Sequence, residues 1–131
     1  MNLPSQAALA RYGAVKVTTA SPAQVLVMLY DGLLRFLRDA QTAMAAKERG
    51  RAGERLSKAN AILSHLLGSL DVEKAPVLCA RLQAVYLFCM NTILKANIAQ
   101  DAKKLDEAIT VLQPLREAWV TAAAEVALAK K

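Results

Sequence analysis

The sequence predicts an all-α protein, an antiparallel up-down four-helix bundle with a short N-terminal leader packed on it. The composition is 55% hydrophobic but only 5% aromatic and is rich in Ala and Leu, which favours helices over the residue types typical of sheets. Apolar residues also recur every three or four positions in four successive segments joined by short connections, so each helix should run antiparallel to the next. A chain of 131 residues is long enough for one such domain and too short for two.

The first predicted helix covers residues 22–46 and begins at a strong start signal. Ser21 stands at the N-cap, Pro22 at the first helical position and Gln24 three residues past the cap, which together form a capping box. Residues 1–20 form a weakly patterned leader that could make one or two amphipathic turns.

The second predicted helix covers residues 54–70, because Gly50 and Gly53 are expected to break the helical pattern before it. The third is predicted at residues 76–98, where Pro76 is well placed to open it.

The fourth predicted helix covers residues 102–126, with Asp101 as its N-cap. Pro114 lies inside it, removes one backbone donor and crowds the preceding turn. A kink near the middle of this helix is therefore expected.

The residues that could carry chemistry do not form a catalytic, cofactor-binding or metal-binding pattern. Cys79 and Cys89 fall ten residues apart in one helix, about 15 Å along its axis, which is too far for a disulfide. His65 is the only histidine, and no spacing typical of a metal site or a nucleophile-base pair accompanies it. We therefore expect no enzyme, no metal and no cofactor.

The chain is also expected to stay in the cytoplasm without inserting into a membrane. Its longest unbroken apolar run, residues 84–90, is far below the roughly 20 residues that a bilayer span needs. Residues 1–4 do not begin a charged and then apolar signal segment.

The formal net charge of +6 raises an alternative function, a basic helical module that binds nucleic acid or an anionic surface. The densest basic stretch lies within residues 47–58, but Glu48 and Glu54 interrupt it and no stacking aromatic residues are interleaved with it. A solvated loop explains this stretch better, so no nucleic acid is expected as a partner.

Two predicted helices carry more apolar residues than one buried face requires. At 100° per residue, the first helix has a core stripe through Leu33 and a second apolar strip displaced by roughly 120° from it. We call this second set the first-helix strip; it consists of Val25, Met28, Gly32 and Phe36. The corresponding third-helix strip consists of Ala80, Ala84, Leu87, Leu94 and Ile98.

Two explanations fit these strips. The bundle could cover them with its own leader and the end of the fourth helix, or they could form an apolar groove for a partner's amphipathic helix. Both hold if the leader covers the groove until a partner displaces it. Asp31, the only residue between Val25 and Leu34 that is charged at neutral pH, could bond a backbone donor of that partner or pair with Arg35 one turn later.

Several blocks of the sequence resemble the flagellar secretion chaperones that bind flagellin, the FliS family. The most specific matches are Thr19-Ala20-Ser21-Pro22, Met28-Leu29-Tyr30-Asp31-Gly32 and Arg35-Phe36-Leu37. Weaker matches follow in order at Lys58-Ala59, Leu70-Asp71, Val85-Tyr86, Ala96-Asn97 with Asp101, Leu115-Arg116 and Ala118-Trp119.

The resemblance implies a four-helix bundle that holds the C-terminal helices of flagellin, prevents their premature polymerisation and delivers them to the flagellar type III export gate. It also implies that Tyr12 belongs to a leader lying over the flagellin-binding surface. The predicted partner-binding residues are therefore Tyr12, Val25, Met28, Asp31, Gly32, Phe36, Leu87, Leu94, Asn97 and Ile98.

Overall fold

A computed structural model describes residues 21–129 of the chain. Within that range the protein forms four α-helices and no strand: α1 (Pro22–Ala45), α2 (Arg49–Gly68), α3 (Pro76–Ala99) and α4 (Leu105–Ala129). Helix α1 packs against α2 and α4, and α3 packs less extensively against the same two helices. The helices thus form an antiparallel four-helix bundle in which α1 and α3 are diagonal, which confirms the predicted fold class. The predicted leader lies outside the described residues.

The start of α1 is fixed by the predicted capping box. The Ser21 hydroxyl accepts a hydrogen bond from the backbone N–H of Gln24 at 3.1 Å, and the Gln24 side chain accepts one from the backbone N–H of Ser21 at 2.7 Å. At the other end, Lys47 adopts a left-handed conformation with φ 61°, and the N–H of Glu48 bonds back to the carbonyl of Ala43 at 2.8 Å. This is the geometry that ends many helices and turns the chain sharply.

The prediction that Gly50 and Gly53 interrupt the helical pattern, so that the second helix begins at residue 54, is wrong. Helix α2 already begins at Arg49. Neither glycine has a positive φ, and both continue the helix. Two glycines inside a helix cost about 1 kcal/mol each. Packing of the intervening Ala52, which is fully buried, and of Leu56 one turn later offsets that cost.

The fourth helix begins three residues later than predicted, at Leu105. The chain leaves α3 through Gln100, which is left-handed at φ 51°, and residues 102–104 form a turn. The Asp101 carboxylate accepts a hydrogen bond from the N–H of Lys104 at 3.2 Å, so it caps this turn instead of the helix itself. Pro114 lies within the continuous span of α4.

The core lies between the four helices and is built mainly from Leu, Ala and Tyr. Its largest fully buried side chains are Tyr30, Leu33, Leu37, Leu56, Leu63, Leu66, Tyr86, Cys89, Ile93, Leu105 and Leu112. Cys79 and Cys89 are both buried free thiols. Burial raises the pKa of the Cys89 thiol to about 12, so the reactive thiolate is absent near neutral pH.

A buried polar contact joins the two diagonal helices across the core. The hydroxyls of Tyr30 on α1 and Tyr86 on α3 lie 2.7 Å apart, and the two rings are tilted with centroids 6.4 Å apart. The Trp119 ring of α4 meets the Tyr30 ring edge-on at 6.3 Å, while its Nε1 finds no hydrogen-bond partner within residues 21–129. Burial raises the pKa of both tyrosines, so both hydroxyls stay protonated and able to satisfy each other.

Because each hydroxyl satisfies the other, removing one should cost more than removing both. Tyr30→Phe leaves the Tyr86 hydroxyl buried without its partner and should lower the free energy of unfolding by about 1 to 3 kcal/mol. The double variant with Tyr86→Phe should lose no more than the single variant. Urea titrations of the wild type, Tyr30→Phe, Tyr86→Phe and the double variant measure this coupling. If the two single losses simply add in the double variant, the hydroxyl pair contributes no mutual stabilisation.

Candidate partner-binding surface

The outward side of α3 carries large apolar side chains that the bundle does not cover. Leu87 is 48% exposed, Leu94 57% and Ile98 71%, and these three positions lie within about 40° of one another around the helix. Ala80 and Ala84 of the third-helix strip are exposed as well. The predicted third-helix strip therefore lies outside the core.

The apolar character of α3 extends further around the helix than sequence reasoning indicated. Phe88 is 43% exposed and, with Ala84, Val85 and Val111, lines an apolar groove of about 240 Å³ between α3 and α4. Phe88 was absent from the predicted strip. The spacing of Ala84 and Phe88, one turn apart and away from the core stripe, was the signal that could have placed it there.

Because α3 is apolar both towards the core and away from it, its overall composition is unusual. It is long and apolar enough to cross a membrane, the one such helix in residues 21–129, although its unbroken apolar runs are short. Its inner face supplies Leu82, Tyr86 and Ile93 to the core of the bundle. A helix buried in a protein core can be as long and as apolar as a membrane-spanning helix. Only 33% of its most apolar stretch is buried, however, so the excess apolar character belongs to the outward side.

The first-helix strip divides into an exposed half and a half that contacts α2. Val25 is 43% exposed and Met28 58% exposed, so both are open to a partner. Gly32 is half-buried, and a Cβ added there would lie 3.4 Å from the Ile62 side chain of α2. Phe36 is also half-buried and packs against the core.

Two cations lie over the Phe36 ring. The Arg35 guanidinium carbon is 5.6 Å from the ring centroid, and the Lys58 ammonium nitrogen of α2 is 5.8 Å from it. Both distances fall in the range of cation–π attraction. The seam between α1 and α2 therefore combines apolar side chains with positive charge.

Asp31 pairs with a residue of α4, whereas the expected partner, Arg35, is on its own helix. Its carboxylate accepts a hydrogen bond from Arg116 Nε of α4 at 2.7 Å, so the predicted pairing with Arg35 is wrong. Arg116 also contacts Glu117, and the hydrogen bond to Asp31 is the main cause of a raised pKa of its guanidinium. The long Arg116 side chain can span the contact between α1 and α4, whereas helical spacing alone does not reveal such a partner.

The remaining predicted site residues have local roles or lie outside the described residues. Asn97 is half-buried, and its side-chain oxygen accepts a hydrogen bond from Gln100 Nε2 at 3.1 Å. Tyr12 lies outside residues 21–129. Within that range no three His, Cys, Asp or Glu side chains come together as metal ligands.

The basic stretch proposed for the alternative function is mostly helical instead of a loop. Lys47 and Glu48 lie in the short connection between α1 and α2, and the other cations of residues 47–58 lie on the first turns of α2. Arg55 contacts Glu54 at 3.4 Å, so part of its charge is neutralised locally.

The described residues form an all-helical bundle with exposed apolar side chains on α3, and comparison with known proteins defines the class of the chain. The family described as "Flagellar protein FliS" matches residues 5–126. The flagellar secretion chaperone FliS of Salmonella typhimurium is 35% identical over 104 residues, covering 79% of this chain and 77% of the relative. The corresponding chaperone of Escherichia coli is 34% identical over 104 residues, covering 79% and 76%. That of Bacillus subtilis is 32% identical over 103 residues, covering 79% and 76%.

The chain therefore belongs to the FliS family of flagellar secretion chaperones, as its sequence blocks predicted. This family is a class of chaperones and is not a class of enzymes.

A pair of substitutions on α1 tests whether its two apolar stripes differ as described. Leu33 is fully buried, so Leu33→Ala should cost about 2 to 5 kcal/mol through lost contacts and a cavity. Met28 is 58% exposed, so Met28→Glu should change stability by less than about 0.5 kcal/mol. Thermal and urea melts measure both. An equal loss in the two variants would place Met28 inside the folded core in solution.

Proposed function

We propose that this protein is a cytoplasmic export chaperone that binds the C-terminal helical segment of flagellin. In this role it shields the segment, prevents premature polymerisation and delivers the subunit to the flagellar type III export apparatus. The observation that carries the proposal is the uncovered apolar side of α3, together with membership of the FliS family. The chaperone acts by binding and release, without chemical turnover.

The physical requirement for such a partner is a long apolar contact. A segment that is disordered alone and folds on binding loses conformational entropy, which must be offset by buried apolar area. Fully burying a Leu or Ile side chain stabilises a complex by about 1.5 to 3 kcal/mol. The large side chains of the third-helix strip are about half exposed or more, so a partner that buries them gains a substantial part of this free energy. Val25 and Met28 of the first-helix strip extend the available surface to a second helix.

The amphipathic helix of a partner can satisfy its own backbone hydrogen bonds while its apolar side chains pack on α3. This is the helix-in-groove mode of recognition. The groove between α3 and α4 at Phe88 offers a recess for one such side chain. Because flagellin's terminal helices pair with one another in the filament, covering their apolar side would keep subunits apart before export.

The alternative, a basic module that binds nucleic acid, has a different salt dependence. Contacts to phosphates release counterions, so that binding should weaken steeply as salt rises. Apolar packing on α3 should change little over the same range.

Charge placed on the outward side of α3 tests the proposal. In Leu87→Glu/Leu94→Glu, binding of a peptide comprising the C-terminal helices of flagellin should fall at least about 100-fold, because two carboxylates would be desolvated against an apolar helix. Titration calorimetry measures the affinity, and melts check that the variant remains folded.

Ser57→Glu/Ser64→Glu is the matched control, since both residues are exposed on α2 seven positions apart and the change adds two carboxylates outside α3. It should bind like the wild type. A folded Leu87→Glu/Leu94→Glu variant that binds the peptide with unchanged affinity would show that α3 is not the contact surface.

A further inference from the structure

The cations at the α1–α2 seam lack the carboxylate partners that helical spacing offers them. Asp31 stands four residues before Arg35, and Glu54 stands four residues before Lys58, the spacing at which ion pairs form on a helix. Asp31 instead bonds Arg116 at 2.7 Å, and Glu54 contacts Arg55 at 3.4 Å.

Arg35 and Lys58 consequently form no ion pair within residues 21–129. Both side chains are exposed, and both converge on one ring, that of Phe36, at 5.6 and 5.8 Å. The two cations come from different helices, Arg35 from α1 and Lys58 from α2, and each lies over this ring. The nearest other carboxylate on this side of α1 is Asp39, one turn beyond Arg35, which is half-buried. Asp39 forms no ion pair within residues 21–129.

This pair of charges lies at one end of the exposed part of the first-helix strip. Met28 precedes Arg35 by two helical turns, which is about 10 Å along α1. A helix lying along the seam would therefore meet an apolar patch at Val25 and Met28 and a positive site about two of its own turns away. Such an arrangement fixes both the register and the direction of the bound helix.

We propose that Arg35 and Lys58 form a carboxylate-binding site that selects an amphipathic partner helix with an acidic side chain about two turns from an apolar anchor. The proposal rests on the proposed function, since the helix belongs to the flagellin C-terminal segment. It adds a charge requirement, and hence a register, to a contact that is otherwise apolar. Phe36 contributes the ring over which both cations lie.

The test compares two peptides and three forms of the full-length protein by titration calorimetry. One peptide is the flagellin C-terminal segment, and the other is the same peptide with every Asp and Glu replaced by Asn and Gln. The proteins are the wild type, Arg35→Gln/Lys58→Gln, and the control Arg49→Gln/Arg51→Gln, which removes two exposed cations from the beginning of α2.

The dissociation constant of the acidic peptide should rise about 3- to 10-fold in Arg35→Gln/Lys58→Gln and stay unchanged in the control, the size expected for two solvent-accessible charge contacts. The amidated peptide should bind the wild type and the Arg35→Gln/Lys58→Gln variant equally, which assigns the lost interaction to the carboxylates. Raising sodium chloride from 50 to 500 mM should weaken the wild type towards the affinity of that variant.

The proposal is overturned if the two double variants bind alike, since the effect would then be one of net charge. It is also overturned if the amidated peptide binds the wild type as tightly as the acidic one. A wild type that binds neither peptide contradicts the proposed function itself, which separates that failure from failure of the carboxylate site.

Discussion

The constraint on which this structure depends is the need of every helix to bury one apolar side in a shared core. Helices α1, α2 and α4 meet it with one buried stripe each, and their exposed large apolar side chains are Val25 and Met28 on α1 and Leu128 near the end of α4. Helix α3 supplies Tyr86 and Ile93 to the core and still leaves Leu94 and Ile98 exposed. Within residues 21–129 no further layer lies on that side, so this part of the chain leaves apolar area of α3 exposed. A partner helix would supply the missing layer.

The Tyr30 and Tyr86 contact complements this arrangement from within. It joins the two diagonal helices that carry the exposed strips, and its 2.7 Å hydrogen bond fixes their relative position in a mainly apolar core. A mispositioned bundle would leave two hydroxyls buried without partners, at a cost of about 1 to 3 kcal/mol each. The outer surfaces of α1 and α3 are therefore set in place by a specific interaction inside the bundle.

Periodicity predicted the four helices and the position of the third-helix strip away from the core stripe, because each depends on positions within one helix. It left open whether the bundle covers that strip. It failed at Gly50 and Gly53, where burial of Ala52 between them outweighs their weak helix propensity. It also failed at Asp31, whose partner Arg116 is 85 residues away in sequence and becomes close only through packing of α1 on α4. Periodicity also did not predict that two cations lie over the Phe36 ring, since one of them, Lys58, comes from α2.

The central claim is that the outward side of α3 receives the flagellin C-terminal segment, and methyl NMR tests it most directly. Adding the flagellin peptide to the methyl-labelled protein should shift the signals of Leu87, Leu94 and Ile98, which are exposed. The signals of Leu63 and Leu112, fully buried in the core, should move little. Saturating peptide that leaves the three α3 methyl signals in place, while shifting signals elsewhere on the bundle, would contradict the claim.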